Sequence, residues 1–184
     1  TWDGTLGTDT TNNLAAGWHY VLVTDMAGCT ALDSILINEP AAIVLSISNT
    51  AVSCSGGTDG TATVTAAGGI GGYSYQWNTT PAQFTATATG LTTGSYSVTV
   101  TDINGCFNMD SVQVTTPNPL TTTLTPTNID CFGASTGTII NSVGGGVPNY
   151  TFLWNNNAVT QNLNSLTVGT YTVTITDVNG CSIV

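Results

Sequence analysis

Five cysteines are the residues of this 184-residue chain whose type and spacing suggest chemistry. Cys29, Cys106 and Cys181 each end a similar segment that begins with an apolar residue, Thr and Asp, and they are 77 and 75 residues apart. Cys54 and Cys131 are also 77 residues apart. Cysteines that recur at fixed positions are typical of disulfide bonds in an oxidising compartment. We therefore treat all five as disulfide candidates.

Catalysis has very few residues available to it. His19 is the single histidine, and the chain has no lysine or arginine. The formal charge of −10 also argues against nucleic acid and membranes as partners, because no cation is present to bind phosphate. We expect no enzymatic activity, no catalytic residue and no cofactor.

Calcium binding is one function that the Asp and Asn residues of the turns could have. Asp102 with Asn104, and Asp177 with Asn179, could supply two oxygen ligands each. A calcium cage needs about six to eight ligands, and the matching place in the first turn is Ala27. We therefore favour hairpin turns held by aspartate side chains, and we predict no metal site.

The elements that must position these residues are short β-strands. Alternation of apolar and polar residues predicts strands, because successive side chains of a strand point to opposite faces. Glycine-rich segments and an Asn-Gly pair separate the alternating runs and indicate turns. In the best-defined repeat, the runs lie at 42–48, 61–66, 73–77, 96–101 and 109–115. No stretch has the apolar stripe of a helix.

A period of about 77 residues divides the chain, and such a period is the mark of a repeat protein. We expect the second half of one repeat at 1–40 (unit 1), a complete repeat at 41–117 (unit 2) and a nearly complete repeat at 118–184 (unit 3), cut from a longer array. The predicted fold is all-β, with tandem immunoglobulin-like β-sandwich repeats arranged end to end.

Four aromatic residues are predicted to lie in the sandwich cores. Trp77 and Trp154 end alternating strands, and Tyr96 and Tyr171 begin others. Burial of a tryptophan between two sheets explains its recurrence. The alternative is an exposed aromatic platform on which a sugar ring stacks.

Two disulfide pairings remain open. Bonds within a repeat, Cys54–Cys106 and Cys131–Cys181, are the usual arrangement. In an immunoglobulin-like sandwich, however, Cys54 and Cys106 lie at opposite ends, about 20 Å or more apart, whereas a disulfide needs Cα atoms within about 7 Å. We favour Cys54–Cys181, across the junction of two repeats. Cys106 and Cys131 would then bond to neighbouring repeats.

The motifs of the complete repeat resemble a known family. Cys54-Ser-Gly-Gly-Thr-Asp-Gly, then Tyr73-Ser-Tyr-Gln-Trp, then the segment from Leu91 to Cys106 are similar to the SprB repeat of large surface adhesins in gliding Bacteroidetes. The resemblance extends over all three units. It implies export by the type IX secretion system, an extracellular location on the cell surface, and a role in adhesion or gliding motility.

The resemblance also directs attention to O-glycosylation. Ser34 and Ser111 stand in Asp-Ser-apolar segments 77 residues apart, and Thr10 follows Asp9. These segments look like the acceptor that Bacteroidetes use, although an unmodified serine that faces solvent explains them equally well. They are O-glycosylation candidates.

Two functions from different classes follow. The first is a structural stalk, filament or adhesin segment, whose expected partners are neighbouring repeats, other copies of the chain and surface polysaccharide. The second is an array of carbohydrate-binding modules that uses exposed aromatic residues. The exposure of Trp77 and Trp154 discriminates between them.

Overall fold

The structure, a computed structural model, describes residues 1–3 and 10–184. Every element in that part of the chain is a β-strand. The strands are β1 (Gly17–Thr24), β2 (Thr30–Ile37), β3 (Val44–Thr50), β4 (Gly60–Ala67), β5 (Ser74–Trp77), β6 (Thr87–Leu91), β7 (Gly94–Thr101), β8 (Phe107–Val114), β9 (Thr121–Thr127), β10 (Gly137–Gly144), β11 (Thr151–Trp154), β12 (Leu163–Leu166), β13 (Val173–Thr176) and β14 (Ser182–Ile183). Among the described residues, none forms a helix that is long and apolar enough to cross a bilayer.

Unit 2 contains two antiparallel sheets of three strands, in the orders β3-β4-β6 and β5-β7-β8. Side chains from both sheets meet in one core, in which Val64 from the first sheet and Trp77, Val98 and Val114 from the second are buried. The alternation along β7 explains this arrangement, because Val98 and Val100 are buried while Thr99, between them, is only partly buried. Unit 2 is therefore a small β-sandwich.

Unit 3 repeats this arrangement with the orders β9-β10-β12 and β11-β13-β14. Its core contains Trp154, Val173 and Ile175, which correspond to Trp77, Val98 and Val100 of unit 2. The last strand differs between the two units. β8 pairs with β7 over eight residues, whereas β14 pairs with β13 over two.

Unit 1 is a hairpin of β1 and β2, paired over eight residues, with one further bridge between Trp2 and Val21. Most of its large apolar side chains are exposed, including Trp18, Leu32 and Ile35, whereas Val21 and Ile37 are partly buried. The hairpin corresponds in sequence to β7 and β8, which in unit 2 are covered by the opposite sheet.

The all-β prediction is confirmed, and each predicted strand of unit 2 is present. β6 and its counterpart β12 were not predicted, because they are short, do not alternate, and gain their strand geometry from pairing with β4 and β10. The immunoglobulin-like assignment, the end-to-end arrangement and the unit boundaries stay predictions.

Candidate functional site at the junction of two units

The turn between β13 and β14 is built around the carboxylate of Asp177. Its Oδ1 atom accepts hydrogen bonds from the backbone N–H groups of Asn179 and Cys181, each at 2.9 Å. Its Oδ2 atom accepts a third from the N–H of Val147, also at 2.9 Å. The turn is closed by the N–H of Asp177 donating to the carbonyl of Cys181 at 2.9 Å. The carboxylate thus fixes the backbone of the turn up to Cys181 and ties it to the segment at Val147.

The same turn recurs in the other two units. Asp102 accepts from Asn104, Cys106 and Ile70, at 3.0, 2.9 and 3.0 Å. Asp25 accepts from the N–H groups at positions 27 and 29, both at 2.9 Å. These contacts explain the recurring aspartate by backbone hydrogen bonding. No group of three or more potential metal ligands is found within the described ranges.

Backbone hydrogen bonds also set the ionisation of these turns. The bond from Val147 is the largest cause that lowers the pKa of Asp177, and the bond from Ile70 does the same for Asp102; burial opposes both effects. A carboxylate that accepts several backbone N–H bonds is favoured in its charged form. The two turns therefore keep a negative charge beside Cys181 and Cys106.

The loop that carries Cys54 lies between β3 and β4. The carbonyl of Cys54 accepts a hydrogen bond from the N–H of Gly57 at 2.9 Å. The N–H of Ser53 donates to Oδ1 of Asp59 at 2.9 Å, and hydrogen bonding from the Ser53 side chain, then from its backbone, lowers the pKa of Asp59. In unit 3 Thr136 takes this place and its hydroxyl accepts from the N–H of Asp130 at 3.1 Å.

A disulfide bond joins Cys54 of unit 2 to Cys181 of unit 3. Their Cα atoms are 5.7 Å apart, which is an ordinary separation for a disulfide. Beside it, the side-chain amide of Asn179 donates a hydrogen bond to the carbonyl of Ser53 at 2.9 Å. The loop of one unit and the hairpin turn of the next are thus held together by a covalent bond and a hydrogen bond.

A crevice of about 340 Å³ lies beside the disulfide. Its lining includes Pro117, Pro119 and Leu120 from the connection between the units, and Asp177 and Ile183 from unit 3. Proline fixes its own backbone φ angle and restricts the residue before it. The connection therefore has little conformational freedom where the two units meet.

The pairings within a unit, Cys54–Cys106 and Cys131–Cys181, are absent from the structure and that alternative is wrong for Cys54 and Cys181. Cys54 lies near the end of unit 2 where the N–H of Val52 donates to the carbonyl of Thr115 at 3.0 Å. Cys106 lies at the opposite end of unit 2, in the turn that follows β7. The eight residues of β7 span about 25 Å between these two ends. Cys29, Cys106 and Cys131 are unpaired and exposed.

The four aromatic residues that were predicted to lie in the cores do contact them. Trp77 and Trp154 are each 1% exposed, and their indole N–H groups donate to the carbonyls of Thr85 at 2.9 Å and Thr160 at 2.8 Å. Tyr96 and Tyr171 are partly buried and pack against the two cores. Neither indole is available to stack on a sugar ring.

The hydroxyl group of each tyrosine also donates a hydrogen bond to a backbone carbonyl four residues earlier in the chain. The Tyr96 hydroxyl donates to the carbonyl of Thr92 at 3.2 Å, and the Tyr171 hydroxyl donates to the carbonyl of Thr167 at 3.0 Å. A tyrosine near the start of such a strand, bonded to backbone just upstream, is a feature of Greek-key sandwiches. It is compatible with the predicted immunoglobulin-like arrangement.

His19 has an acidic neighbour that the sequence did not reveal. Its Nδ1 atom lies 2.6 Å from Oδ2 of Asp3, and its Nε2 atom lies 2.7 Å from the carbonyl of Ala15. The bond to Asp3 is the largest cause that raises the pKa of His19. The backbone N–H of Tyr20 occupies the other oxygen of Asp3 at 2.8 Å, so the pair ties the N-terminal residues to β1.

The O-glycosylation candidates Ser34, Ser111 and Thr10 are exposed. Ser34 and Ser111 lie at matching places in β2 and β8, and each backbone N–H bonds to the carboxylate of the preceding aspartate, at 2.8 and 2.7 Å. Whether they are modified stays a prediction.

The family model of the SprB repeat matches residues 46–81 and 123–159. The two segments start 77 residues apart, and each runs from the first strand of its unit to just beyond the buried tryptophan. These two segments, in units 2 and 3, therefore match the SprB repeat, as the sequence motifs predict; unit 1 and the segment from Leu91 to Cys106, over which the predicted resemblance also extends, lie outside the match. No curated protein matches the chain.

Proposed function

We propose that this chain of SprB repeats is a structural stalk segment of a large adhesin on a bacterial cell surface. SprB repeats belong to surface proteins of Bacteroidetes, which supports an extracellular location. The single observation that carries the stalk role is the Cys54–Cys181 bond, because it links two sandwiches rather than the two sheets of one sandwich. Its effect is to restrict movement between units.

Stiffness at the junction would be of direct use to a stalk. A chain with no lysine or arginine cannot build salt bridges between carboxylates and these cations across its unit contacts. A covalent bond and proline residues in the connection replace them. Adhesion and gliding motility are the processes that such a stalk would serve, and neighbouring repeats are its first partners.

The composition supports the same environment. Proteases that cut after lysine or arginine have no cleavage site in the chain. The surface polarity comes mostly from the uncharged residues Thr, Ser and Asn, and the net charge of −10 repels the chain from anionic membranes. We also propose that the chain has no enzymatic activity, since nothing in the described residues joins His19 to a nucleophile.

Small-angle X-ray scattering on the purified chain tests the stalk role. We expect an elongated particle, and a broader distribution of distances with a shorter mean length when Cys54 and Cys181 are both replaced by Ser. The Cys29→Ser variant is the matched control, because Cys29 is unpaired, and it should scatter like the unmodified chain. A compact particle would contradict the proposal, as would a double variant with an unchanged profile.

The surface location has its own test. Antibodies against the chain should label intact cells of the native host, and protease treatment of those cells should remove the label. Labelling that requires permeabilised cells would contradict the proposed location.

A further inference from the structure

Two side chains fasten the segment that carries the buried tryptophan to the next strand of unit 2. Asn78 follows Trp77, and its Oδ1 atom accepts a hydrogen bond from the N–H of Ser97 at 2.9 Å. Tyr96 lies in β7, and its hydroxyl donates to the carbonyl of Thr92, four residues earlier, at 3.2 Å. We call these two residues the corner pair. An amide and a phenol thus hold this corner without a charged group.

Unit 3 has a corner pair of the same residue types. Asn155 follows the buried tryptophan, and its Oδ1 atom accepts from the N–H of Thr172 at 3.4 Å. The hydroxyl of Tyr171 donates to the carbonyl of Thr167, again four residues earlier, at 3.0 Å. The corner pair is therefore a recurring part of the sandwich.

In unit 1 both members of the corner pair are ionisable. Asp3 is the member that follows the tryptophan, and its Oδ1 atom accepts from the N–H of Tyr20 at 2.8 Å. His19 is the member in the next strand, and its Nε2 atom lies 2.7 Å from the carbonyl oxygen of Ala15, four residues earlier. The exchange adds a direct contact between the two members, because Nδ1 of His19 lies 2.6 Å from Oδ2 of Asp3.

The protonation state of His19 follows from its two partners. A carboxylate oxygen and a backbone carbonyl oxygen can only accept hydrogen bonds. A neutral imidazole has one N–H, whereas an imidazolium has two. Only the charged form of His19 can therefore donate to Asp3 and to Ala15 together. The bond between the two side chains also raises the pKa of His19 and lowers the pKa of Asp3, in agreement with this geometry.

The other ionisable groups around His19 have partners of their own. Asp33 of β2 is on the same face of the hairpin, and its Oδ1 atom accepts from the next backbone N–H at 2.8 Å. The amino group of Thr1 donates to a backbone carbonyl of β1 at 2.7 Å. Tyr20 is on the opposite face of β1, and among the described residues the contact between Asp3 and His19 is the one ion pair.

We propose that Asp3 and His19 make the attachment of the segment that carries Trp2 to β1 dependent on pH. While His19 is doubly protonated, its two bonds support the bridge between this segment and β1. Loss of one proton leaves a single N–H, so either the bond to Asp3 or the bond to Ala15 is lost. Units 2 and 3 do not share this dependence, because their corner pairs consist of asparagine and tyrosine. The inference does not depend on the proposed stalk role.

The two pKa shifts define the pH range in which the attachment is strongest. The raised pKa of His19 gives stability that is fully present below the ordinary value of 6.5 and is lost as the pH rises through the folded value. The lowered pKa of Asp3 gives stability that is present above 3.8 and is lost as the pH falls through the folded value. The segment is therefore held most firmly in mildly acidic solution, and it loosens as the pH rises.

Nuclear magnetic resonance of the full chain tests the proposal. The ring signals of His19 report its protonation without ambiguity, because it is the single histidine. We expect a titration midpoint above 6.5, the ordinary value. Across that midpoint the hydrogen-exchange protection factor of the Tyr20 amide, which is bonded to Asp3, should fall by about tenfold or more.

The double variant Asp3→Asn with His19→Tyr is the matched control, because it copies the corner pair of unit 2. Its Tyr20 amide should keep the same protection factor through that pH range. The amino group of Thr1 is present in both proteins, so it cannot explain a difference between them. A protection factor that falls equally in the double variant would overturn the proposal.

The single variant Asp3→Asn supplies a measurement that does not require the corner to remain formed. It removes the carboxylate that stabilises the imidazolium, so the titration midpoint of His19 should move down toward 6.5. A midpoint at or below 6.5 in the unmodified chain would overturn the proposal. A raised midpoint that Asp3→Asn leaves unchanged would do the same, since the carboxylate would then not be its cause.

Discussion

Cys54 and Cys181 lie 127 residues apart in the sequence, yet a disulfide bond brings their Cα atoms to 5.7 Å. One cysteine lies in the loop after the first strand of unit 2, and the other lies in the last hairpin turn of unit 3. The bond therefore acts on the junction, while each sandwich relies on its own core of apolar residues around a buried tryptophan.

Replacement of Trp77 by Ala should unfold unit 2. Truncation of a buried tryptophan costs about 3–5 kcal/mol, which is a large part of the roughly 5–10 kcal/mol expected for a small domain. Differential scanning calorimetry should show loss of one transition, while the unit 3 transition remains. Phe84→Ala is the control, because Phe84 is 65% exposed in the segment between β5 and β6. An unchanged melting profile for Trp77→Ala would contradict the assigned core.

The core of unit 3 contains a polar residue where unit 2 has an apolar one. Asn141 is buried and corresponds to Val64; its Oδ1 accepts from the hydroxyl of Thr122 at 2.7 Å, but its Nδ2 has no partner in the described part of the chain. An unsatisfied buried donor costs about 1–3 kcal/mol. The double variant Asn141→Val with Thr122→Leu copies Val64 and Leu45, and should raise the melting temperature of unit 3.

The reverse change supplies the control for that prediction. Val64→Asn in unit 2 places an amide in an apolar core and should lower the melting temperature of unit 2. A lower melting temperature for the unit 3 double variant would show that the Asn141 and Thr122 network stabilises unit 3 more than the unpaired donor destabilises it.

Acid should destabilise the turns that carry the cysteines. The pKa values of Asp102 and Asp177 are lowered in the folded chain, chiefly by the backbone bonds from Ile70 and Val147. A lowered folded pKa gives stability that is fully present above the unfolded value of about 4 and is lost as the pH falls through the folded value. Asp102→Asn should therefore lower stability at neutral pH and flatten its decline in acid. Chemical denaturation between about pH 7 and pH 2 measures both. A variant that keeps the unmodified pH profile would contradict the role of this carboxylate.

The sequence predicted the parts of this structure that depend on local pattern. Alternation placed Val98 and Val100 in the core because strand side chains have a period of two. Recurrence of Asp102 and Asp177 indicated the turns, since their bonds are made to backbone within a few residues. The assumed immunoglobulin-like topology then favoured Cys54 and Cys181 at the meeting ends of adjacent units, with pairing inside a unit as the alternative.

Contacts between residues that are far apart in the sequence could not be predicted from local pattern. The bond from Asn179 to Ser53 joins residues 126 apart in the sequence, although the recurrence of Asn104 and Asn179 was a signal that the position matters. β6 was not predicted because its residues do not alternate, and its strand geometry comes from pairing with β4. Asn141 in the core of unit 3 was not predicted, since a lone asparagine in a strand usually faces solvent.

Ser34 and Ser111 are predicted to carry O-linked sugar in protein from the native host. Both are exposed on strands, at equivalent places, after an aspartate that bonds to the serine N–H. Mass spectrometry of peptides across these residues should show added hexose-type masses, and Ser111→Ala should remove one of them. Native material in which both serines are unmodified would refute the prediction. Recombinant protein from another host is the unmodified reference.

Mapping of disulfide-linked peptides under non-reducing conditions tests the central claim most directly. Trypsin cannot be used, because the chain lacks lysine and arginine. Pepsin is used instead, and the low pH at which it works also suppresses thiol–disulfide exchange, because exchange requires a thiolate. The predicted result is a peptide pair that joins Cys54 to Cys181 and disappears on reduction. A pair that joins Cys54 to Cys106, or Cys131 to Cys181, would contradict a junction locked across two units.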